Sequence, residues 1–422
     1  MATTQELRRL RPAPEPLGNF FRLGYNDHIG VGQALAEGRG TGTGVVINPA
    51  YTARQLPLVG EANLRGVQTI LDSKGLELST LGGHVQSGVS DLPWAGDFGM
   101  HTPENLRGLS ARRLARTLAE YAAEHEFSAV LAPTHLLDSP LSPWWDIDRG
   151  ILTELRAALD ELECAQTLIY RPVTLKASAL TDSAMFERLL SAVSSEPVDG
   201  LWLRFHPFGA TSSGPLALKR YLRVCRQLHA LGIPLVAEHS GTVGVALLAF
   251  GAVGGIESGI TLTEAVNLDR VTRAPKPGGS SFSPPPRVYL HELGAFVESP
   301  VAREFFEKRG TRSLHACQDT GCCPRGWVDM VANPRRHFLR QREREVAGLS
   351  AMPESLRTGQ YLEGFLRPAS DRAIRAAELE PALAPARKRL ESWRGTLSAD
   401  LQEHSTFTIS RPAAGHRLRR TA

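Results

Sequence analysis

Short apolar, β-branched runs alternate with amphipathic stretches along more than half of this 422-residue chain. The amphipathic stretches, such as residues 110–126 and 215–231, carry apolar residues at the spacing of three and four that favours a helix. This alternation is typical of parallel β/α units. The candidate strands are Gly44–Ile47, Val67–Leu71, Ser128–Ala132, Gln166–Tyr170, Gly200–Arg204, Pro234–Ala237, Val253–Ile256 and Arg287–Leu290.

Eight such units over about 250 residues match the length of a closed barrel. We therefore predict an α/β fold, a TIM-type (β/α)8 barrel over residues 43–300, with a doubly wound open sheet as the alternative. Residues 1–42 are interpreted as an N-terminal lead-in, residues 301–400 as an Arg-rich helical, zinc-binding subdomain, and residues 401–422 as a basic tail.

Two connections are too long to be simple turns. Residues 79–108 and 274–286 are rich in Gly, Pro and Ser. Long loops of this kind in compact domains are usually lids or binding loops, although the second could equally be a spacer.

The charge composition permits an anionic partner without requiring one. There are 48 basic and 44 acidic residues, and only six of the basic residues are lysines, which leaves 42 arginines. Guanidinium groups bind phosphate through two parallel hydrogen bonds. The N-terminal residues lack the apolar stretch of a signal peptide, and the uncharged apolar run at 243–256 is too short to cross a bilayer. We expect a cytoplasmic protein without a membrane partner.

Polar residues follow the predicted strands at their C-terminal ends, where the active site of a barrel lies. They are Asp72, His135, Asp138, Tyr170, Arg171, Arg204, His206, Glu238, His239, Glu257 and Ser258. Several carboxylates at one mouth would allow one to act as a nucleophile and another as a proton donor. The three histidines, His135, His206 and His239, leave a catalytic metal open as an alternative, although no His-x-His or H-E-x-x-H motif supports it.

A second cluster lies beyond the barrel. Cys317, Cys322 and Cys323 fall within seven residues, and His337 follows fourteen residues later. Three thiolates and one imidazole complete a tetrahedral zinc shell, which predicts one structural zinc per chain. Two alternatives stay open, because His315 could replace one of the adjacent cysteines and all three thiols could simply be free. Cys164 and Cys225 lie on predicted helices and are expected to be inert thiols.

The order of these segments resembles the tRNA-guanine transglycosylase superfamily, including the relatives that insert deazaguanines into DNA. The likeness covers about residues 43–345. Asp72-Ser73-Lys74-Gly75 is similar to the family's Asp-Ser-Gly-Gly, and the cysteine cluster is similar to its zinc subdomain. The segments that resemble the later family motifs are residues 132–140, Gly241-Thr242-Val243-Gly244 and Gly254-Gly255-Ile256-Glu257.

The resemblance implies a glycosyltransferase that exchanges a purine or deazapurine base in tRNA or DNA through a covalent glycosyl–enzyme. On this basis Glu257 is the nucleophile, and Asp72 is the proton shuttle that also contacts the base. Asp138 would bind the purine edge, and Arg204 and His206, with Glu238 and His239, would bind the substrate.

Three features depart from the family pattern. Lys74 stands where the family has glycine, Glu257 where it has aspartate, and the cysteine spacing differs. One extra methylene displaces an attacking oxygen by about 1 Å, which can cost about 10²-fold in rate. Two other functions therefore stay open. One is a barrel hydrolase acting on a nucleoside or small molecule, and the other is a non-catalytic nucleic-acid binder that uses the arginines of residues 303–344.

Overall fold

The computed structural model of this chain describes residues 18–262, 264–274 and 286–404. Eight parallel strands form a closed barrel in the spatial order β4-β3-β2-β1-β8-β7-β6-β5, with β5 pairing back to β4. The barrel strands are β1 Gly18–Arg22, β2 Gly44–Ile47, β3 Gln68–Asp72, β4 Ala129–Leu131, β5 Leu168–Lys176, β6 Gly200–His206, β7 Leu235–Ala237 and β8 Gly255–Gly259. The predicted (β/α)8 barrel is confirmed, and because the sheet closes, the open doubly wound alternative is wrong.

Two strand assignments made from the sequence are wrong. The first barrel strand is β1, within the predicted lead-in; it pairs with β2 and β8 and so closes the barrel. Arg287–Leu290, predicted as the eighth strand, is β9, and it pairs antiparallel with β10, Ala295–Glu298, in a hairpin outside the barrel. With β1 in place, all eight positions of the barrel are filled.

In the described ranges, seven longer helices accompany the barrel strands, and four follow the hairpin. The first group is α1 Asp27–Glu37, α2 Pro57–Leu64, α3 Leu109–Glu124, α4 Trp144–Glu161, α5 Ser183–Ser194, α6 Pro215–Leu228 and α7 Thr242–Ala249. The second is α8 Ser299–Glu307, α9 Pro334–Ala351, α10 Arg367–Leu379 and α11 Ala384–His404. Shorter helical segments lie at Thr52–Gln55, Gly75–Leu78, Leu81–His84, Asp269–Thr272, Thr311–His315, Trp327–Ala332, Glu354–Gln360 and Tyr361–Leu366. The expected helical region after the barrel is therefore present.

Local sequence explains where several helices begin and end. The Asp182 side chain accepts hydrogen bonds from the backbone N–H groups of Ala184 and Met185 and caps α5. Proline, whose missing N–H costs nothing at this position, stands in the first turn of α2, α6, α8 and α9. Gly38 ends α1 with a positive φ of 63°.

The barrel interior is a packed core of large side chains. Its members are Phe20, Val46, Ile70, Ala129, Leu131, Tyr170, Trp202 and Val236. The Trp202 ring lies 5.2 Å from that of Phe20 and 5.8 Å from that of Tyr170, measured between centroids. This layer closes the barrel below its C-terminal mouth.

The first long loop packs against the barrel. The Trp94 indole N–H donates to the carbonyl of Ser73 at 2.8 Å, and Trp94 and Leu106 are buried. Most of the second long loop, residues 275–285, and the predicted basic tail from residue 405 lie outside the described residues. No helix in the described ranges is long and apolar enough to span a bilayer.

Candidate active site and candidate metal centre

Strand geometry brings five charged residues to one mouth of the barrel. Successive side chains of a strand point to opposite faces, so a residue two positions after an inward-facing one also points inward. Phe20, Ile70, Trp202 and Val236 face the interior, and a Cβ on Gly255 would contact the side chains of Phe20 and Val236. The residues two positions further on are Arg22, Asp72, Arg204, Glu238 and Glu257. All five therefore lie at the C-terminal mouth, where barrel enzymes carry out their chemistry.

Arg22 connects three carboxylates from three different strands. Its Nη1 contacts Asp72, its Nη2 lies 2.9 Å from Glu238 Oε1, and its Nε lies 3.3 Å from Glu257 Oε1. Arg204 adds hydrogen bonds of 2.6 and 2.9 Å to the same oxygen of Glu238. Buried carboxylates are tolerated only when such partners compensate their charge.

In the turn after β3, Lys74 binds Asp72 through both its backbone and its side chain. The Lys74 backbone N–H donates to Asp72 Oδ1 at 3.1 Å, and its ammonium group lies 2.7 Å from Asp72 Oδ2. Lys74 also lies 3.4 Å from Glu77. Gly75 follows because a Cβ there would lie 2.7 Å from the backbone of Pro133. Both oxygens of Asp72 are therefore engaged.

Glu238, His239 and Glu257 form a compact buried group. One ligand atom from each lies within 4.8 Å of the other two. The backbone N–H of His239 donates to Glu257 Oε2 at 3.1 Å. Within the described ranges, Glu238 Oε2, Glu257 Oε1 and His239 Nδ1 are buried without a hydrogen-bond partner. Glu257 Oε1 nevertheless faces Arg22 Nε at 3.3 Å, and His239 Nδ1 lies 3.5 Å from Glu257 Oε2. Glu238 Oε2 is therefore the atom of this group that is most available to a bound molecule.

The surroundings of Asp72 and Glu257 shift the pKa values of these two carboxyl groups in opposite directions. Burial opposes ionisation of Asp72, but the charges of Lys74, Arg22 and Arg204 outweigh it and hold the pKa of Asp72 far below its usual value. Burial, aided by the charge of Glu238 and opposed by Arg22, raises the pKa of Glu257 to about 7. At neutral pH Asp72 is ionised, whereas Glu257 titrates in the neutral range.

The imidazole of His239 is held neutral. Burial, with the positive charges of Arg22, Arg204 and Lys74, keeps the pKa of His239 well below its usual value. A neutral imidazole between two carboxylates accepts or donates a hydrogen bond without adding charge. A divalent ion would have to enter beside three cationic side chains, which argues against a metal here even though the donor atoms are close enough.

Two of the predicted substrate-binding residues lie away from this group. Asp138 is exposed and forms no ion pair with the mouth residues. His206 accepts a hydrogen bond from the backbone N–H of Leu268 at 3.1 Å and lies 3.6 Å from Asp269. It therefore contacts the loop that follows β8, whereas Asp72, Arg204, Glu238, His239 and Glu257 come together as predicted.

His135 anchors a loop to a helix. Its Nδ1 lies 2.5 Å from the carboxylate of Asp148 on α4, and its ring stacks on Trp144 at 3.7 Å. His206 contacts the loop after β8, so the three histidines of the metal alternative do not share one site. Of the three, only His239 belongs to a potential metal-binding group in the described part of the chain.

The predicted Cys3His cluster is assembled in the structure. Cys317, Cys322, Cys323 and His337 are all buried, and their ligand atoms lie within 4.8 Å of one another. The two adjacent Sγ atoms are 3.7 Å apart, and they lie 3.6 and 3.4 Å from His337 Nδ1. Zinc–ligand bonds of about 2.3 Å to sulfur and about 2.0 Å to nitrogen give tetrahedral edges of about 3.8 and about 3.5 Å. The donor set therefore fits a tetrahedral metal ion.

Neighbouring groups orient this cluster as they do in known metal sites. His337 Nε2 lies 3.0 Å from the carbonyl of Tyr289 on β9, and the Gln341 amide donates to Cys317 Sγ at 3.3 Å. A hydrogen bond on the second ring nitrogen is typical of metal-bound histidine, because it fixes the ring and its tautomer. His315, the alternative ligand, lies outside the group and packs against Phe305 instead.

Many arginines of the helical region are engaged within the protein. Arg335 lies 2.7 Å from Asp27, Arg336 and Arg340 pair with Glu37, and Arg344 pairs with Asp319. These contacts hold α9 and the cysteine loop in place, with α1 as a further partner. They reduce the positive charge that the nucleic-acid-binding alternative requires of this segment.

Comparison with known proteins supplies no family for this chain. No protein-family model matches it, and no curated protein matches it. Among solved structures, endo-1,4-β-xylanase XylE of Penicillium canescens is 10% identical over 61% of this chain and 86% of its own, with a TM-score of 0.39. Xylanase 10B of Thermotoga petrophila is 10% identical over 61% of this chain and 86% of its own, with a TM-score of 0.36. The HpcH/HpaI aldolase of Desulfitobacterium hafniense is 12% identical over 58% of this chain and 86% of its own, with a TM-score of 0.32. These scores are too low to bear on activity, and the barrel assignment rests on the strand pairing described above.

Sequence reasoning missed Arg22 and the role of Lys74. Arg22 ends the strand Gly18–Arg22, whose only apolar side chains are those of Phe20 and Phe21, so the β-branched run that marks most of the predicted strands is missing. The adjacent aromatic pair Phe20-Phe21, followed directly by an arginine, was the available indication of a buried strand with a polar end. For Lys74 the sequence offers only a difference from the Asp-Ser-Gly-Gly motif, which does not indicate a contact with Asp72.

Proposed function

We propose that this protein is a glycosyl-transfer enzyme that works through a covalent glycosyl–enzyme intermediate at the barrel mouth. The observation that carries the proposal is the pair Glu238 and Glu257, at the ends of neighbouring strands, with one carboxylate oxygen of each within 4.8 Å of the other. Carboxyl groups about 5–5.5 Å apart are typical of retaining glycosidic chemistry, whereas inverting enzymes keep them about 6.5–9.5 Å apart to admit water.

The two glutamates are suited to different roles. Arg22 and Arg204 hold Glu238 through Oε1 and leave Oε2 free, so this oxygen is the proposed nucleophile. Glu257, with its pKa raised to about 7, is the proposed proton donor. This assignment differs from the one that the family resemblance implies, because Asp72 cannot hold a proton at neutral pH and Glu257 can.

The reaction then has two steps. In the first, Glu238 Oε2 bonds to the anomeric carbon while the bond to the leaving group breaks and Glu257 gives that group its proton. In the second, Glu257 takes a proton from the acceptor, which bonds to the same carbon and releases Glu238. Asp72, whose oxygens are both occupied, acts as a fixed negative charge and a binding group.

We assign the substrate to the class of purine or deazapurine nucleotides in tRNA or DNA. The Cys3His cluster that follows the barrel supports this, because it accompanies the same chemistry in the transglycosylase superfamily. Cys317, Cys322, Cys323 and His337 would hold one structural zinc, which would fix the helical region against β9.

A hydrolase is the second candidate, with water as the acceptor in the second step. The ion pairs of Arg335, Arg336, Arg340 and Arg344 favour it, because they engage side chains that a nucleic-acid backbone would otherwise contact. The same carboxylates would act on a nucleoside or another small glycoside.

Incubation of the protein with labelled guanine or deazaguanine and either tRNA or DNA distinguishes the candidates. A transferase incorporates label, whereas a hydrolase releases free base without needing an acceptor. Glu238→Gln and Glu257→Gln should each lower turnover at least about 10²-fold, whereas the matched control Asp138→Asn should retain it. Equal turnover in wild type and both glutamine variants would overturn the proposal.

The intermediate provides an independent test. Rapid denaturation during turnover, followed by intact-protein mass spectrometry, should reveal an adduct with the mass of the glycosyl fragment. The adduct should be absent in Glu238→Gln, and azide should restore turnover to Glu238→Ala. An adduct that persists in Glu238→Gln would show that another residue attacks the sugar.

A further inference from the structure

An aromatic pair, the exposed Tyr25 and the half-buried Tyr51, lies at the same end of the barrel as the proposed active site. Tyr25 lies three residues after the end of β1, and Tyr51 lies four residues after the end of β2. Both are therefore in loops at the C-terminal end of the barrel, the same end as the charged mouth residues. Tyr25 is 51% exposed, which is unusual for a ring that is also held in place by its neighbours.

Two neighbours fix the Tyr25 ring. Tyr51 meets it edge to face, with centroids 5.1 Å apart and an interplanar angle of 86°. The guanidinium carbon of Arg54 lies over the ring, 4.0 Å from its centroid. The tyrosine is thus supported by these two residues while half of its surface stays open to solvent. Such a ring offers a preformed stacking surface, because little side-chain entropy is left to lose on binding.

The charge of Arg54 is only partly used. Its Nη1 donates to Asn26 Oδ1 at 3.3 Å, and the guanidinium forms no ion pair with a carboxylate in the described ranges. By contrast, Arg335, Arg336 and Arg340 of α9 each form an ion pair with a carboxylate. The remaining N–H groups of Arg54 are available to an anion beside the ring.

Further apolar surface lies along the same rim. Val85 and Leu81, in the loop after β3, are 62% and 54% exposed. A Cβ on Gly88 of this loop would lie 3.1 Å from the carbonyl oxygen of Ala50, the residue before Tyr51. The loop therefore continues the rim that Tyr25 and Tyr51 begin.

We propose that Tyr25 and Arg54 form a nucleotide subsite beside the mouth, in which the base next to the reacting one stacks on Tyr25 and its phosphate binds Arg54. This inference rests on the proposed function and names a substrate contact for it. Stacking on aromatic rings and charge pairing with arginine are the two main means by which proteins hold single-stranded nucleic acid.

A nucleotide fits this subsite better than a sugar ring does. Sugar C–H groups bind the negative face of an aromatic ring, and a guanidinium on the opposite face withdraws electron density from that ring. The same withdrawal favours stacking by an electron-rich purine. Only a nucleotide also brings a phosphate to Arg54.

Binding of single-stranded oligonucleotides, followed by fluorescence anisotropy without turnover, tests the subsite. Tyr25→Ala should weaken binding about tenfold or more, whereas Tyr25→Phe should bind as wild type does. Arg54→Ala should weaken binding and lower the salt dependence by the equivalent of about one phosphate contact. Arg65→Ala, which removes an exposed arginine at the opposite end of the barrel, should change neither.

An abasic nucleotide, placed at each position of the oligonucleotide in turn, identifies the stacked base. At one position, the loss of binding free energy caused by the abasic nucleotide and the loss caused by Tyr25→Ala should not be additive, because both changes remove the same stacking contact. Full additivity at every position would overturn the subsite, and so would binding of an uncharged oligosaccharide that depends on Tyr25. Glu238→Gln should bind oligonucleotide normally, so failure of the subsite and failure of the proposed chemistry are separate outcomes.

Discussion

At the scale of single residues, the mouth shows how neighbours assign different roles to identical groups. Glu238 and Glu257 are both fully buried, but two arginines bond to Glu238, whereas Glu257 has one distant contact with Arg22 and one backbone donor. The free-energy cost of burying a charge is therefore compensated by the two arginines at Glu238. At Glu257 this cost is only partly compensated.

The raised pKa of Glu257 predicts a specific pH dependence of stability. Its pKa is about 7 in the folded protein against 4.5 for an ordinary glutamate, so the folded state binds more protons between these values. Its stabilising contribution is present below about pH 4.5 and is lost as the pH rises to about 7 and beyond.

Glu257→Gln should remove this dependence. The free energy of unfolding of the wild type should fall relative to the variant by up to about 3 kcal/mol between pH 5 and pH 8. Urea unfolding of both proteins at several pH values measures the difference. Parallel stability profiles would contradict the assignment.

The same residue predicts the pH profile of activity. If Glu257 donates the proton, kcat/KM should decline as the pH rises above about 7, because the protonated fraction falls. Steady-state rates from pH 5 to pH 9 measure this limb. The residual activity of Glu257→Gln should not show this decline above pH 7. A decline that persists in the variant would show that another group titrates.

At the scale of elements, the cysteine loop joins the barrel to the helices beyond it. The loop lies between α8 and α9, and its histidine belongs to α9 and contacts β9. One metal ion would therefore join the cysteine loop to α9, whose His337 also contacts the Tyr289 carbonyl of β9. Metal binding at such a site contributes directly to folding stability.

We expect one zinc per chain in protein purified without added metal, measured by elemental analysis. His337→Ala and Cys322→Ser should each lose it and unfold at lower temperature, because a tetrahedral site requires all four donors. The control Cys164→Ser removes a thiol outside the cluster and should keep the metal. A folded wild-type protein without metal would leave the three thiols as free cysteines.

At the scale of the whole molecule, closure of the barrel determines where everything else lies. Strand β1 joins β2 to β8 and so places Arg22 opposite carboxylates that are 50 to more than 200 residues away in sequence. Beneath the mouth, Trp202 fills the barrel between Phe20 and Tyr170. The charged residues of the mouth thus lie above a packed core layer.

Trp202→Ala should destabilise the protein by about 3–5 kcal/mol, because it empties the centre of this layer. Leu141→Ala, at a side chain that is 92% exposed, should change stability by less than about 0.5 kcal/mol. Urea unfolding monitored by circular dichroism compares the two. A small effect of Trp202→Ala would mean that the interior can collapse around the cavity.

Much of the site could be predicted because its residues follow strands directly. Asp72, Arg204, Glu238 and Glu257 stand at strand ends, and parallel strands bring those ends together. Asp138 and His135 also follow strands, but their loops turn them towards solvent and towards α4. His206 is the last residue of β6, and it contacts the loop after β8. Proximity in sequence to a strand end does not fix the direction of a loop side chain.

The sequence alone determined the alternation that makes a barrel, the polar strand ends, and a Cys3His donor set. These are local patterns, set by backbone periodicity and by the chemistry of single residues. Only the tertiary structure decided that β1 closes the barrel, that Arg22 holds three carboxylates, and that Glu257 titrates near neutrality. Strand pairing, desolvation and charge compensation depend on the side chains and strands on the opposite side of the barrel. Those groups belong to residues that are distant in the sequence.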